Sequence, residues 1–374
     1  MKLNQKKLKK SWNKNSIKVL HTEASLGWGG QEIRICQEAL GMRERGYWVG
    51  IAASPLSEIY HQALQFNLPI FSVSFENKSF KSVKQILKII KAKNITILNT
   101  HSSWDSWVGG ITKLFISKLI LIRTRHLSTP IGRNPLSWLI YNVLPDYIIT
   151  TGEEIRFQMI NRNKFNPKKI ISIPTGVDLK VFDPQKVKNS LPKDGFLIGV
   201  ISVLRSWKGH QYFLEAIPEI LKFIPEAKFY IVGDGPQREN IKNVIKNLGL
   251  ENKIFMLGYR KDIPEILTSL DILVLASYGH EGVPQVILQA LAMKKAVVAT
   301  NVGSVKEVIK NKKTGILIPS KNSYAIAEAI INLYKSPTLR KQLGEAGRKL
   351  VEEKYSLERM LDRIEKIYHS LILK

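Results

Sequence analysis

Short apolar runs alternate with stretches of helical spacing along almost the whole chain. In the first half the runs fall at 17–21, 48–53, 70–73, 95–99, 121–126, 147–151 and 169–173, with helical spacing at 31–45, 58–66 and 83–92 between the earlier ones. In the second half they fall at 196–203, 228–232, 254–258, 271–276, 296–300 and 315–319, and from Tyr324 onward the apolar spacing is near the helical period. Runs this continuous predict strands covered on both faces, hence parallel ones, and their alternation with helices predicts α/β winding. Ligands of such sheets bind at the loops that follow the carboxyl ends of strands. The candidate chemistry is therefore sought in those loops.

The most informative loop is the stretch SYGHEGVPQVILQALA at 277–292, between the runs at 271–276 and 296–300. It reads as strand, polar loop, helix and strand. Glu281 and Gly282 fall in the loop, Val283 follows, and Pro284 suits a first helical turn because its missing N–H costs nothing there. The helix opens with unpaired backbone N–H groups and the positive end of its dipole, which favours a diphosphate or a set of sugar hydroxyls. Gln285 and Gln289 are four apart and share a helix face. In the loop after 196–203, Arg205 and Lys208 offer a fork and a point charge to an anion. In the loop after 17–21, Gly29 and Gly30 allow a close backbone approach ahead of a helix, or simply a tight turn. His101 follows the run at 95–99, either to meet a ligand or to cap the next helix. Asp105, Trp104 and Trp107 follow it, to line an acceptor site or to pack in the core. Arg123, Arg125 and His126 form a basic cluster suited to an acidic acceptor or a lipid phosphate, or a solvated edge.

These residues resemble a known family. Glu281-Gly282-x-Pro284, with a polar residue eight positions after the glutamate, is similar to the signature of retaining, nucleotide-sugar-dependent glycosyltransferases of family 4. Pro174-Thr-Gly-Val-Asp178 resembles that family's connection between domains. The resemblance runs from about residue 17 and is strongest over 198–320. It implies the GT-B fold, two Rossmann-like doubly wound domains facing a cleft, here an acceptor domain at 17–190, a nucleotide-sugar domain at 191–355 with a linker at 185–194, and a final helix at 356–374 crossing back. It implies that His101 and Glu281 serve the reacting sugar and that Arg205, Lys208, Gly29 and Gly30 face the donor diphosphate. Gly282, Val283, Pro284, Gln285, Gln289, Gly258 and Tyr259 then hold the sugar and nucleotide. Gln31, Arg123, Arg125 and His126 are left for the acceptor. Two departures stand out: Gln289 occupies a usually acidic position that contacts the ribose, and Arg205 lies three residues before Lys208 rather than about five.

Charge and composition narrow the rest. The chain has 374 residues, of which 44% are hydrophobic, enough for two cores, and a net charge of +26. Residues 1–190 hold 29 Lys and Arg against 12 Asp and Glu, or +17, leaving +9 for the remainder. Such a surface suits an anionic membrane leaflet, and the Lys-rich tail at 1–16 is either a leaflet-binding stretch or a solvated one. A nucleic-acid partner is not expected, since no recognised module accompanies the charge. The single Cys36 precludes an internal disulfide and fits a reducing cytoplasm. With no Asp-x-Asp and dispersed histidines, neither a metal nor another cofactor is expected. Arg205, Lys208 and the helix N-terminus would then stabilise the leaving diphosphate. The expected activity is transfer of a sugar from a nucleotide-sugar donor, UDP- or GDP-linked, to a glycan or lipid-linked acceptor. The setting is the cytoplasm, at the inner face of the membrane, in the synthesis of a cell-envelope glycan such as lipopolysaccharide. A nucleotide-binding relative without activity and a nucleotide-sugar epimerase of the same fold stand as alternatives.

Overall fold

The computed structural model describes residues 16–75, 80–279 and 281–372, and in it the alternation becomes two parallel sheets. The first contains β1 (Lys18–Glu23), β2 (Trp48–Ala53), β3 (Ile70–Ser72), β4 (Ile97–Thr100), β5 (Ile120–Arg125), β6 (Tyr147–Thr150) and β7 (Ile170–Ser172), in the order β3-β2-β1-β4-β5-β6-β7. The second contains β8 (Phe196–Ile201), β9 (Ala227–Val232), β10 (Ile254–Gly258), β11 (Ile272–Leu275), β12 (Ala296–Thr300) and β13 (Ile316–Ile318), in the order β10-β9-β8-β11-β12-β13. Each sheet winds outward in both directions from its first strand. β1 pairs with β2 and β4, and β8 with β9 and β11. Crossovers therefore leave in opposite directions beside β1 and beside β8, and a crevice opens at the carboxyl ends there. The GT-B fold expected from the sequence is present.

All six residues of β8 are buried, and the pleat divides them. Phe196, Ile198 and Val200 join a cluster with Phe213, Ile217 and Phe229, whereas Leu197 and Ile201 join another with Leu267, Ile287 and Leu291. Alternate side chains of a strand point to opposite faces, so a strand covered on both sides must be apolar throughout. β1 departs from that rule, as do the ends of β4 and β5: in Lys18-Val-Leu-His-Thr-Glu23 the last three residues are polar and fully or almost fully buried.

The chain packs as two compact units, one made of the residues up to Arg125 with 133–149 and 363 onward, the other of 126–132 and 150–362. Residues 150–190, counted with the first half on sequence, pack with the second unit. The expected final helix is Leu357–Ile372. Its end belongs to the first unit, where buried Tyr368 donates to Glu38 (2.9 Å) and Glu365 accepts from Arg45 (3.0 Å) and Tyr47 (2.6 Å). The stretch expected as a linker is anchored, with the Ser190 and Leu191 amides donating to Ser269 Oγ and Leu191 buried. Several helical stretches escaped the periodicity, and two of them announce themselves by their caps. Ser103–Leu114 starts with a reciprocal cap between Ser102 and Asp105. Pro135–Trp138, continued by Leu139–Val143, starts with Asn134 accepting from the Ser137 amide and proline in the first turn. Among the described residues no helix is long and apolar enough to cross a membrane. The basic tail, expected at 1–16, lies outside the described residues except for Ser16.

Candidate active site

In the second unit the loops after β8 and β11 lie side by side because their strands are neighbours. After β8 a single tight turn, Ser206–Lys208, ends at Gly209, which has φ +70° and would place a Cβ 2.1 Å from the Ala276 carbonyl oxygen at the end of β11. Only glycine fits there. The approach brings Lys208 to the neighbouring loop, where its Nζ donates to Glu281 Oε1 at 2.6 Å. Ser277 Oγ donates to the same oxygen at 2.7 Å, and Tyr278 N donates to Trp207 O at 2.9 Å. Glu281 is 6% exposed. Its Oε2 has no hydrogen-bond partner among the described residues, which leaves one carboxylate oxygen to accept a ligand hydroxyl. A charge-assisted hydrogen bond of this kind contributes about 1.5–3 kcal/mol.

The rest of the motif is fixed by backbone. Glu281 O accepts from Ser304 N, and Val283 N donates to Thr151 O. A Cβ on Gly282 would meet His126 O and Thr151 Oγ1, each at 2.7 Å. Pro284 stands one position earlier than expected: it is the N-cap of the helix Gln285–Ala292, and its carbonyl accepts from Ile287 N and Leu288 N. Gln285 opens that helix, and Gln289, half-buried, lies one turn on. Arg205 is exposed, with its guanidinium 5.1 Å from the centre of the Trp207 ring and no carboxylate partner among the described residues. Gly258 (φ +66°) closes β10, and Tyr259 beside it is exposed. His210, next to Gly209, meets Ser202 Oγ at 3.1 Å. Burial, and then the Lys208 charge, push its pKa down to about 4, so it is neutral at pH 7.

The matching edge of the first unit is built from β1 and β4. His101 is buried just beyond β4, and its Nε2 lies 2.9 Å from His21 Nδ1, one ring donating and the other accepting. The cap of helix Ser103–Leu114 belongs to Ser102 and Asp105, so the His101 ring is not spent on it. Asp105 is fully buried, accepting from His101 N (2.7 Å), Ser102 N (2.8 Å) and Thr22 Oγ1 (2.8 Å). It is part of the network beneath His101, and does not line an acceptor surface. Gly29 is the N-cap of helix Gly30–Glu44, in extended backbone, and Gly30 is its first residue. Gln31 reaches back to Glu23, donating to Oε2 at 2.5 Å, while Ser25 N donates to Oε1 at 2.7 Å. Burial, then the charges of Asp105 and Glu32, push the Glu23 pKa up to about 8. The carboxyl beside the glycine loop is therefore protonated at neutral pH and does not repel an anion there.

The basic cluster divides. Arg123 and Arg125 converge on Tyr141, whereas His126 lies past the end of β5 in the other unit, its carbonyl accepting from Thr151 Oγ1. Sequence reasoning missed His21, Glu23, Tyr141 and Ser277. For the first two a signal was present, polar residues closing an apolar strand; for Tyr141 and Ser277 none was. Among the described residues no group of three His, Cys, Asp or Glu is placed to hold a metal.

Two family models match successive parts of the chain, Glycosyltransferase Family 4 over residues 28–181 and Glycosyl transferases group 1 over 181–350. An Escherichia coli UDP-Gal:alpha-D-GlcNAc-diphosphoundecaprenol alpha-1,3-galactosyltransferase is 26% identical over 314 residues, 79% of this chain and 81% of that protein. A glycosyltransferase from Rickettsia africae superposes with a TM-score of 0.85 at 25% identity, covering 95% of this chain and 98% of that one. Anabaena HepE in complex with UDP-glucose superposes with a TM-score of 0.82 at 19% identity, covering 95% and 100%.

Proposed function

The chain belongs to the group 1, family 4 glycosyltransferases, and from that premise we propose that it moves a sugar from a UDP-linked donor to a glycan or lipid-linked acceptor of the cell envelope with retention of configuration. One observation carries this reading. The lysine of one loop and the glutamate of the next are joined at 2.6 Å beside a helix N-terminus. Arg205, Lys208 and the amides that open helix Gln285–Ala292 supply positive charge where the diphosphate departs, without a metal. Glu281, held by Lys208 and Ser277 through one oxygen, turns the other to the hydroxyls of the donor sugar. His101 is held by His21 and serves the same sugar. The acceptor hydroxyl attacks the anomeric carbon on the face the diphosphate leaves. UDP is chosen because the Escherichia coli relative is a UDP-Gal galactosyltransferase and Anabaena HepE is seen in complex with UDP-glucose. The excess of positive charge in the first half supports work at an anionic membrane face.

The test is calorimetric titration of the full chain with UDP, GDP and ADP in excess chelator, repeated with Lys208→Ala. UDP binding that needs no metal and weakens at least tenfold in the variant is the expected result. Binding restricted to another nucleotide replaces the donor assignment, and binding only with added metal overturns the charge arrangement proposed.

A further inference from the structure

Strand β5 leaves Arg123 and Arg125 on one face, because alternate residues of a strand point the same way. Thr124 between them points to the opposite face and donates to Asn99 Oδ1 at 2.9 Å. Tyr141 of the helical stretch Leu139–Val143 meets both guanidinium groups. Arg123 Nη2 and Arg125 Nη1 donate to its hydroxyl oxygen at 2.7 and 2.8 Å, and their guanidinium carbons lie 3.8 and 5.4 Å from its ring centre. Arg123 is 3% exposed, and its Nε and Nη1 have no hydrogen-bond partner among the described residues. The Asp105 carboxyl, whose pKa burial raises and the Arg123 charge partly lowers, has both oxygens engaged by Thr22, His101 and Ser102. Arg123 thus meets one neutral oxygen through Nη2, and its other two nitrogens meet no acceptor among the described residues. A buried cation with unsatisfied donors is costly unless an anion completes it.

We propose that Arg123, Arg125 and Tyr141 form an oxyanion site for a phosphate or diphosphate group. Resting on the transferase reading above, the group is assigned to the acceptor. The planar guanidinium presents paired N–H donors at the spacing of phosphate oxygens, and Arg123 still has such donors to offer. Arg125 is destabilised as a cation by burial and by Arg123 beside it, a condition a bound anion relieves. The side chains assigned to the donor diphosphate, Arg205 and Lys208, are not among the three of this site.

The full chain saturated with UDP is titrated with inorganic pyrophosphate, wild type against Arg125→Ala. Binding that survives excess UDP and weakens at least tenfold in the variant is expected. Absence of binding, binding that excess UDP removes, or equal binding by the variant overturns the site. Should the variant not fold, hydrogen exchange on the wild type decides: pyrophosphate must slow exchange in β5 and 139–143, and unchanged exchange overturns the proposal. A short-chain prenyl diphosphate and glucose 1-phosphate then separate the sources, the tighter binder marking a lipid-linked or a soluble acceptor; if neither binds, the acceptor assignment falls. UDP titrated alone reports on the donor reading, so the two readings fail separately.

Discussion

At the carboxyl edge of β8 and β11 a lysine and a glutamate are paired within reach of solvent, with an exposed arginine beside them. At the matching edge of β1 and β4 two carboxyls, Glu23 and Asp105, are buried with two histidines, and no lysine or arginine is hydrogen-bonded to either carboxyl among the described residues. The two sheets wind alike, so topology is not the source of the difference. Burial is. In the second unit the lysine beside the carboxylate keeps partial access to water, at 19% exposure, and can meet a diphosphate. Where burial is complete the groups shift toward their neutral forms, as Glu23 and His21 both do. A neutral network exchanges hydrogen bonds with hydroxyls without repelling an anion.

The sharpest way to break this comparison is to remove one member from each edge. Lys208→Ala is expected to lower kcat/KM for the nucleotide sugar by about 100- to 1,000-fold, the scale of a lost preorganised donor to a developing anion. His101→Ala is expected to lower it by about tenfold, the worth of one neutral hydrogen bond. Equal losses would show that the edges do not divide the work in this way.

Acid and base titrations sharpen it further, because Glu23 at one edge and His210 at the other contribute opposite slopes. Glu23, ordinarily near 4.5 and raised to about 8, keeps its proton in the folded chain where the unfolded chain has lost it. Its contribution to stability is fullest below pH 4.5 and is lost as the pH climbs to about 8. His210, ordinarily near 6.5 and lowered to about 4, stays neutral in the folded chain where the unfolded chain is protonated. Its contribution is complete above pH 6.5 and is lost as the pH falls to about 4. Hydrogen exchange across pH 4–8.5 should show the alkaline loss flattened in the first unit by Glu23→Gln, and the acid loss flattened in the second by His210→Gln. Exchanged or absent effects would refute the assignment of these slopes to Glu23 and His210.

The smallest effect concerns the departure at Gln289. An amide bonds a ribose diol less strongly than a carboxylate, since charge-assisted hydrogen bonds are about twice as strong. Gln289→Glu should tighten UDP by a few-fold, read as a lower Kd by calorimetry, and weaker binding would place the ribose elsewhere.

Much of the fold was legible in the chain. Buried parallel strands are apolar over most of their length, the ends of β4 and β5 excepted, so every strand from β2 onward left a run that ends within a few residues of the strand itself. The helices Ser103–Leu114 and 135–143 were not read from periodicity: the first opens on a largely polar turn, the second on a proline after Asn134, and their caps announce them. Arg205, Lys208 and Glu281 were legible as loop residues, since local sequence sets which residues follow a strand. That Lys208 would meet Glu281 was not. The contact depends on Gly209 passing the Ala276 carbonyl, between segments more than sixty residues apart.

The sequence by itself determined two wound sheets, the loops that carry the chemistry and the family to which they belong, because strand burial, helix spacing and short motifs are local. Tertiary structure alone decided the partners: Glu281 with Lys208 and Ser277, His101 with His21, Glu23 with Gln31, and Tyr141 between two arginines. It also decided charge. Whether a buried carboxyl or imidazole is ionised depends on the water it has lost and the charges packed around it, and these are set by chain segments brought together only in the fold.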